Sequence, residues 1–195
     1  MRKDFYIFRH GESTYNQTGR TQGRTNDSVL TELGKRQALD VGKRLKNKGI
    51  EIIISSPLVR AKQTADLANK ELNVPVNVDE HFIEVNVGEA EGLNYKDIQT
   101  KFGDIFAKMH DKMNKTEDVC YPGGETRRQV KERIFEGLNN LAKNDKHNVF
   151  AIASHGIMLS QTINALNGNC NDDIKNGSIL HIKNENDEWS IVEWI

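Results

Sequence analysis

Short apolar runs alternate along this chain with segments in which apolar residues recur at helical spacing. This alternation predicts a layered α/β domain, in which the apolar runs form one sheet and helices cover its faces. The predicted strands span residues 4–9, 50–55, 74–78, 148–154, 178–183 and 189–194.

Amphipathic helices are predicted between these strands. The first begins after Thr31, whose hydroxyl can cap it, and the second has Ser56 as its N-cap with Pro57 at its first position. A third helix follows Glu125, whose negative charge would interact favourably with the helix dipole. A fourth covers about residues 156–166. The apolar faces of the first three helices are defined by Gly34, Ala38, Val41 and Leu45, by Ala61, Ala65, Ala68 and Leu72, and by Val130, Ile134, Leu138 and Leu141.

The composition excludes several classes of function. The 195 residues fit one domain, and 27 basic against 28 acidic residues give a net charge of −1, without the one-signed field that attracts nucleic acid or an anionic membrane. No apolar run reaches about 18 residues, and the first strand begins too early for a signal peptide, so we expect a cytoplasmic protein. Cys120 and Cys170 have neither zinc-site spacing nor a disulfide framework.

Two of the predicted strands are followed directly by the dipeptide His-Gly. The strand at residues 4–9 ends in Arg9 and is followed by His10, and the strand at 148–154 leads directly into His155. Arg60 lies just inside the helix that follows a third strand. Because ligands bind at the carboxyl ends of the strands in open α/β sheets, we expect these side chains to converge at one edge.

The converging residues have the chemistry of an anion pocket. Guanidinium groups match phosphate oxygens bidentately, and helix N-termini supply free N–H groups. A neutral histidine in such a pocket can accept a phosphoryl group on nitrogen, because positioning and positive charge supply most of the catalysis. The alkoxide leaving group then needs a proton, for which one segment offers Glu84, Glu89 and Glu91.

A series of motifs in this chain resembles the histidine phosphatase superfamily, also called phosphoglycerate-mutase-like. The resemblance covers nearly the whole chain in the family's order, so it is far more specific than Arg-His-Gly alone. The matching blocks are Arg9-His10-Gly11-Glu12 with Asn16, Gly19-Arg20-Thr21-Gln22-Gly23, Leu30-Thr31-Glu32-Leu33-Gly34, Ser55-Ser56-Pro57-Leu58-Val59-Arg60-Ala61-Lys62-Gln63-Thr64-Ala65, Glu84, Gly88-Glu89-Ala90-Glu91-Gly92, Pro122-Gly123-Gly124-Glu125 and Ser154-His155-Gly156.

The resemblance implies a catalytic role for five side chains. His10 corresponds to the nucleophile that becomes phosphohistidine. Arg9, Arg60 and His155 correspond to the phosphate clamp, with His155 cationic when phosphate is bound. Glu84 corresponds to the proton donor, which would return as the base for the attacking water. No metal and no cofactor are implied.

The resemblance also implies further contacts and a fold. Asn16, Gln22, Gly23 and Gly156 correspond to substrate-binding positions, and the position of Gln22 varies among subfamilies. The implied fold is a three-layer α/β/α sandwich around a mixed, mostly parallel sheet of about six strands, one of which runs against the rest. Residues 1–195 would form a single domain, in which the polar segment 94–118 is a helical excursion that covers one edge of the site.

The expected substrate is a small phosphorylated metabolite that the enzyme hydrolyses. Cofactor-dependent mutases of this family carry a longer insertion with paired arginines and a C-terminal tail, whereas residues 94–121 contain no arginine and Ile195 follows the last strand directly. A phosphoglycerate mutase and a catalytically silent binding module of the same fold are the alternatives. Phosphoserine, sugar phosphates, α-ribazole phosphate and phosphoglycerates all fit as substrates, and any oligomeric state is compatible with the sequence.

Overall fold

Six strands pair into one sheet in the computed structural model, which describes residues 2–110, 117–144, 146–167, 170 and 174–195. The spatial order of the strands is β3-β2-β4-β1-β5-β6, so that β1 lies in the middle of the sheet. Each strand matches one of the predicted apolar runs. Their bounds are β1 Arg2–Arg9, β2 Ile52–Ser55, β3 Val76–Val78, β4 Val149–Ser154, β5 Ile179–Glu185 and β6 Glu188–Trp194.

The sheet is mixed, and one strand runs against the others. β1 pairs in parallel with β4, and β2 pairs in parallel with both β3 and β4. β5 is antiparallel to its two neighbours, β1 and β6. The carboxyl ends of β1, β2 and β4 therefore meet at one edge of the sheet, and the mixed, mostly parallel topology expected from the family resemblance is confirmed.

Helices cover both faces of the sheet. Along β1, Phe5 and Ile7 point into a core shared with α5 (Arg127–Asn144) and α6 (Gly156–Asn167). Tyr6 and Phe8 point to the other face, into a core shared with α2 (Glu32–Leu45) and α3 (Val59–Leu72). The three-layer α/β/α architecture is thus confirmed. The helices in the described ranges are α1 Thr14–Gln17, α2 Glu32–Leu45, α3 Val59–Leu72, α4 Tyr95–His110, α5 Arg127–Asn144 and α6 Gly156–Asn167, with short 3₁₀ turns at Glu80–Phe82 and Gly88–Ala90.

The predicted N-cap of α2 is confirmed, and the structure contains one further short helix, α1. The Thr31 hydroxyl accepts the N–H of Gly34 at the start of α2. The short α1, which the sequence pattern does not predict, is capped by Ser13. The predicted excursion contains α4, which is kinked at Phe102, while residues 111–116 lie outside the described residues. No helix in the described part of the chain has the length and apolar character needed to cross a membrane.

The predicted start of the helix after β2 is wrong. α3 begins at Val59 with Leu58 in the N-cap position, rather than at Pro57 with Ser56 as its cap. The Ser56 hydroxyl instead lies 2.7 Å from Nε2 of His155 and accepts the N–H of Leu58 at 3.3 Å. The Ser56 side chain, which the sequence predicted to be a helix cap, therefore contacts His155, a residue distant in the sequence.

Candidate active site

The side chains predicted to converge at the sheet edge do so. Arg9 ends β1 and His10 follows it, His155 follows β4 directly, and Arg60 lies in the first turn of α3. Nε of Arg60 lies 3.3 Å from Nε2 of His10, and the centroids of the two histidine rings are 5.3 Å apart. Two cations and two imidazoles therefore share one small volume at the carboxyl ends of parallel strands.

His10 is held in one tautomer by its own backbone. Its Nδ1 lies 2.7 Å from the carbonyl oxygen of Gly11, which can only accept, so Nδ1 carries the proton and Nε2 keeps its lone pair. The ring is buried, with 2% of the residue exposed. Burial, followed by the charges of Arg60 and Arg9, lowers the pKa of His10 well below its usual value. The side chain is thus a neutral imidazole whose unprotonated Nε2 accepts the Nε–H of Arg60.

Arg60 is a buried cation held by backbone carbonyl groups. Its Nη2 donates to the carbonyl of Gly23 at 2.7 Å, and its Nη1 donates to the carbonyl of Thr25 at 2.9 Å. Burial lowers its pKa to about 10. Of the five guanidinium N–H bonds, these contacts and that with His10 occupy three, which leaves two for a ligand. Gly23 adopts a φ of 51°, a conformation that glycine reaches without strain.

His155 has one engaged ring nitrogen and one without a partner. Nε2 lies 2.7 Å from the Ser56 hydroxyl, whereas Nδ1 is buried and has no hydrogen-bond partner among the described residues. Burial and the charge of Arg60 lower the pKa of His155 well below its usual value. An anion bound beside it would reverse this electrostatic balance and favour the imidazolium.

Arg9 is oriented by a segment near the other end of the chain. Its Nη1 donates to the carbonyl of Ile174, and its own carbonyl accepts the N–H of Gly177 at 3.2 Å. A Cβ at Gly156 would lie 3.4 Å from Nε of Arg9, so glycine at the start of α6 leaves room for the guanidinium. Nδ2 of Asn176 donates to the carbonyl of His10 at 2.9 Å. The segment 174–177 therefore orients Arg9 and the backbone of His10, contacts that no local sequence signal predicts.

The three candidate acids occupy different environments. Glu84 is buried, with Oε1 accepting the N–H of Val85 at 2.9 Å and Oε2 accepting that of Ile157, at the start of α6, at 3.4 Å. Burial raises the pKa of Glu84, against the opposing effects of these N–H groups and the arginines. Glu91 accepts the N–H of Arg24, and Glu89 pairs with Lys101 at an exposed position. Glu84 is the buried carboxylate of the three, and it lies beside the helix that follows His155.

The predicted amide contacts lie together on the loop after β1. Oδ1 of Asn16 accepts the N–H of Ser13 at 3.2 Å and Nδ2 of Asn176 at 3.3 Å. Oε1 of Gln22 accepts the hydroxyls of Ser13 at 2.7 Å and Ser28 at 3.0 Å. Since both amide oxygens are engaged, the NH₂ groups of Asn16 and Gln22 are the parts of these side chains that can donate to an anion. Within the described ranges, no group of three His, Cys, Asp or Glu side chains is arranged to hold a metal ion.

Known proteins are similar to this chain in sequence and in fold. The family model of the histidine phosphatase superfamily (branch 1) matches residues 5–195. A Salmonella paratyphi B protein named "Probable phosphoglycerate mutase GpmB" is 29% identical over 97% of this chain and 89% of its own length.

Solved structures agree in fold at lower identity. A mycobacterial glucosyl-3-phosphoglycerate phosphatase in complex with VO3 has a TM-score of 0.85 and 23% identity, with 98% of each chain covered. The α-ribazole phosphatase of Shigella flexneri has a TM-score of 0.82 and 22% identity, covering 100% of this chain and 96% of its own. The match of the family model over almost the whole sequence shows that this chain belongs to the histidine phosphatase superfamily, branch 1.

Proposed function

We propose that the protein is a metal-independent phosphomonoesterase that hydrolyses small phosphorylated metabolites through a phosphohistidine on His10. The observation that carries this proposal is the tautomer of His10, because the Gly11 carbonyl fixes the proton on Nδ1 and leaves Nε2 unprotonated, with its lone pair directed at the Nε–H of a buried guanidinium. A neutral imidazole nitrogen next to a phosphate-binding cation is the arrangement needed for nucleophilic attack on phosphorus.

In the first step, Nε2 of His10 attacks phosphorus and the bond from phosphorus to the ester oxygen breaks. Arg9, Arg60 and His155 stabilise the charge on the equatorial oxygens. The departing alkoxide takes the proton of Glu84, whose raised pKa favours the protonated form needed for this role. The Nδ1–H bond to Gly11 remains in place and stabilises the positive charge that develops on the ring.

In the second step, the Glu84 carboxylate accepts a proton from water, and the water oxygen attacks the phosphorus of phosphohistidine. The bond between phosphorus and Nε2 breaks, inorganic phosphate leaves, and both side chains return to their starting protonation states. The same group thus serves as acid and then as base, which requires it to stay next to the reacting oxygens throughout.

The whole chain would act as one domain, in which α4 borders the substrate side of the pocket. The N–H of Thr21 donates to the carbonyl of Leu93 at 2.8 Å, and Arg20 forms an isolated bridge with Asn94. These contacts attach the start of α4 to the loop that carries Gln22 and support a role for segment 94–118 in substrate selection. The absence of arginine from residues 94–121 favours water over a second phosphorylated substrate as acceptor.

Hydrolysis of p-nitrophenyl phosphate in the presence of EDTA tests the activity. We expect turnover by the wild type, none by His10→Ala, and unchanged turnover by His147→Ala as the control for a histidine outside the pocket. Labelled phosphate should remain on the wild-type protein after an alkaline quench, in which the nitrogen–phosphorus bond survives. Near-wild-type turnover by His10→Ala would refute the assignment of the nucleophile, and no turnover by the wild type would favour the silent binding module.

Phosphoglycerate mutase activity is the second candidate, favoured by the name of the Salmonella relative. It predicts interconversion of 3- and 2-phosphoglycerate that depends on 2,3-bisphosphoglycerate. We expect phosphate release from phosphorylated metabolites to exceed any such interconversion, and the opposite ranking would refute the phosphatase assignment. A kinetic screen of phosphoserine, sugar phosphates, α-ribazole phosphate and phosphoglycerates then ranks the substrates.

A further inference from the structure

Three charged side chains surround the backbone of Glu84. Arg24 lies on the loop after β1, whereas Glu125 and Arg133 lie just before and within α5. Oε2 of Glu125 lies 2.9 Å from Nη2 of Arg24 and 3.1 Å from Nη2 of Arg133. One carboxylate therefore joins two guanidinium groups that come from distant parts of the chain.

Each member of this network also binds main-chain atoms next to Glu84. Nε of Arg24 donates to the carbonyl of Glu84 at 3.1 Å, and Nη1 of Arg133 donates to the carbonyl of Ile83 at 2.8 Å. Glu125 accepts the N–H of Asn86 at 2.9 Å and donates its own N–H to the Asn86 carbonyl at 2.7 Å. The peptide groups on both sides of the proposed proton donor are thus fixed by charged hydrogen bonds.

The ion pairs are partly shielded from solvent. The side chains of Glu125 and Arg133 are 19% and 17% exposed, and that of Arg24 is 34% exposed. Burial alone would raise the pKa of Glu125, but the Asn86 N–H and the two arginines outweigh it and hold the pKa below its usual value. Glu125 is therefore ionised, and its charge offsets one of the two cations that lie against the backbone of Glu84.

We propose that Glu125 is a positioning residue for the proton donor, a role that rests on the proposed function of Glu84. Without its charge, Arg24 and Arg133 would repel each other, and the carbonyls of Ile83 and Glu84 would lose their fixed donors. The Glu125 carboxylate acts through its ion pairs with Arg24 and Arg133, whereas the sequence predicted an interaction with the helix dipole. It also joins the acid to the phosphate clamp, because Arg24 follows Gly23, whose carbonyl binds Arg60.

If Glu125 positions the proton donor, its replacement should lower kcat by an amount that depends on the leaving group of the substrate. p-Nitrophenolate leaves readily without a proton, whereas the alkoxide of an alkyl phosphate needs one from Glu84. In Glu125→Gln, we expect kcat to fall about 10- to 100-fold for an alkyl phosphate and less than about threefold for p-nitrophenyl phosphate. Losing the negative charge also favours the Glu84 carboxylate, so the alkaline limb of the pH profile should move to lower pH.

Two further variants separate positioning from general stability. Glu117→Gln removes a carboxylate that pairs with Lys131 and Arg128 on the outside of α5, and it should leave the leaving-group dependence unchanged. Arg133→Lys keeps the charge of the network but loses the forked contact with Glu125 and the main chain. It should reproduce the selective loss, which provides the test if Glu125→Gln does not fold.

The outcomes distinguish this proposal from the proposed function. If Glu84→Gln loses activity selectively with poor leaving groups while both network variants lose it equally for all substrates, the positioning role is refuted and the acid assignment stands. If Glu84→Gln itself loses activity equally for all leaving groups, the acid assignment is refuted, and the positioning role with it. Selective loss in all three variants, with an unaffected Glu117→Gln, supports both.

Discussion

Replacing Gly23 by alanine should damage both the stability of the fold and the phosphate clamp. Gly23 has a φ of 51°, and a Cβ there would lie 2.5 Å from Cγ2 of Val87 and 2.6 Å from Oε2 of Glu91. Gly19, on the same loop, has a φ of 64° and no atom within 4 Å of its Cβ position. Gly19→Ala is therefore a matched control that carries the backbone strain without the steric clash.

The expected magnitudes follow from these contacts. The left-handed conformation costs alanine about 1–2 kcal/mol in either variant. Gly23→Ala must also displace the buried Val87, at about 1–3 kcal/mol for an overpacked core. It must move the Glu91 carboxylate off the N–H of Arg24, which forfeits a hydrogen bond to a charged group worth about 1.5–3 kcal/mol. The two variants should therefore differ in unfolding free energy by about 2.5–6 kcal/mol.

Urea unfolding and steady-state kinetics together test this reasoning. Because the Gly23 carbonyl binds Nη2 of Arg60, we expect kcat/KM to fall at least about tenfold in Gly23→Ala and to remain at the wild-type level in Gly19→Ala. Equal unfolding free energies for the two variants would refute the close approach of residues 23, 87 and 91. A destabilised Gly23→Ala with full activity would refute the role of this carbonyl in placing Arg60.

The remaining predictions concern protonation and anion binding. Because the pKa of His10 lies well below its ordinary 6.5, kcat/KM should fall on the acid side only well below pH 6.5. The pKa of Glu84 lies above its ordinary 4.5, so kcat/KM should fall on the alkaline side as Glu84 ionises. A rise in kcat/KM from neutral to alkaline pH would contradict this prediction. Lowering the pKa of Arg60 from 12.5 to about 10 destabilises the folded protein by about 3 kcal/mol, a cost that a bound anion relieves. Orthovanadate should therefore raise the Tm of the wild type but not that of Arg60→Met. Equal Tm shifts in the two proteins would refute this reasoning. Ser56→Ala should weaken the inhibition by inorganic phosphate about tenfold, because Ser56 orients the second histidine. Ser55→Ala is the control and should bind phosphate like the wild type, because the Ser55 hydroxyl donates to the carbonyl of Ser56.

Much of the fold could be predicted because its signals are local. A strand such as β1 has alternate residues packed into two different cores, so it appears in the sequence as an unbroken apolar run. The Thr31 cap is likewise confirmed, since the hydroxyl binds an N–H three residues away. The convergence of His10 with Arg60 and His155 followed from the rule that parallel strands present their carboxyl ends at one edge.

The parts that could not be predicted depend on contacts between distant residues. Ser56 had the position of a cap, but its hydroxyl binds His155, 99 residues later. Glu125 precedes a helix, yet its carboxylate binds Arg24 and Arg133. Asn176 binds the carbonyl of His10 across 166 residues. A pattern of local propensities contains no information on such pairings, so the supports of the site emerge only from the three-dimensional structure.

The central position of β1 also has a consequence for synthesis of the protein. Its two neighbours in the sheet are β4, at Val149–Ser154, and β5, at Ile179–Glu185, so β1 is synthesised long before either strand with which it pairs. Ile174 and Gly177, which hold Arg9, emerge equally late. Until β4 and β5 have been made, the apolar residues Phe5–Phe8 lack both partner strands, and Arg9 lacks the segment that orients it.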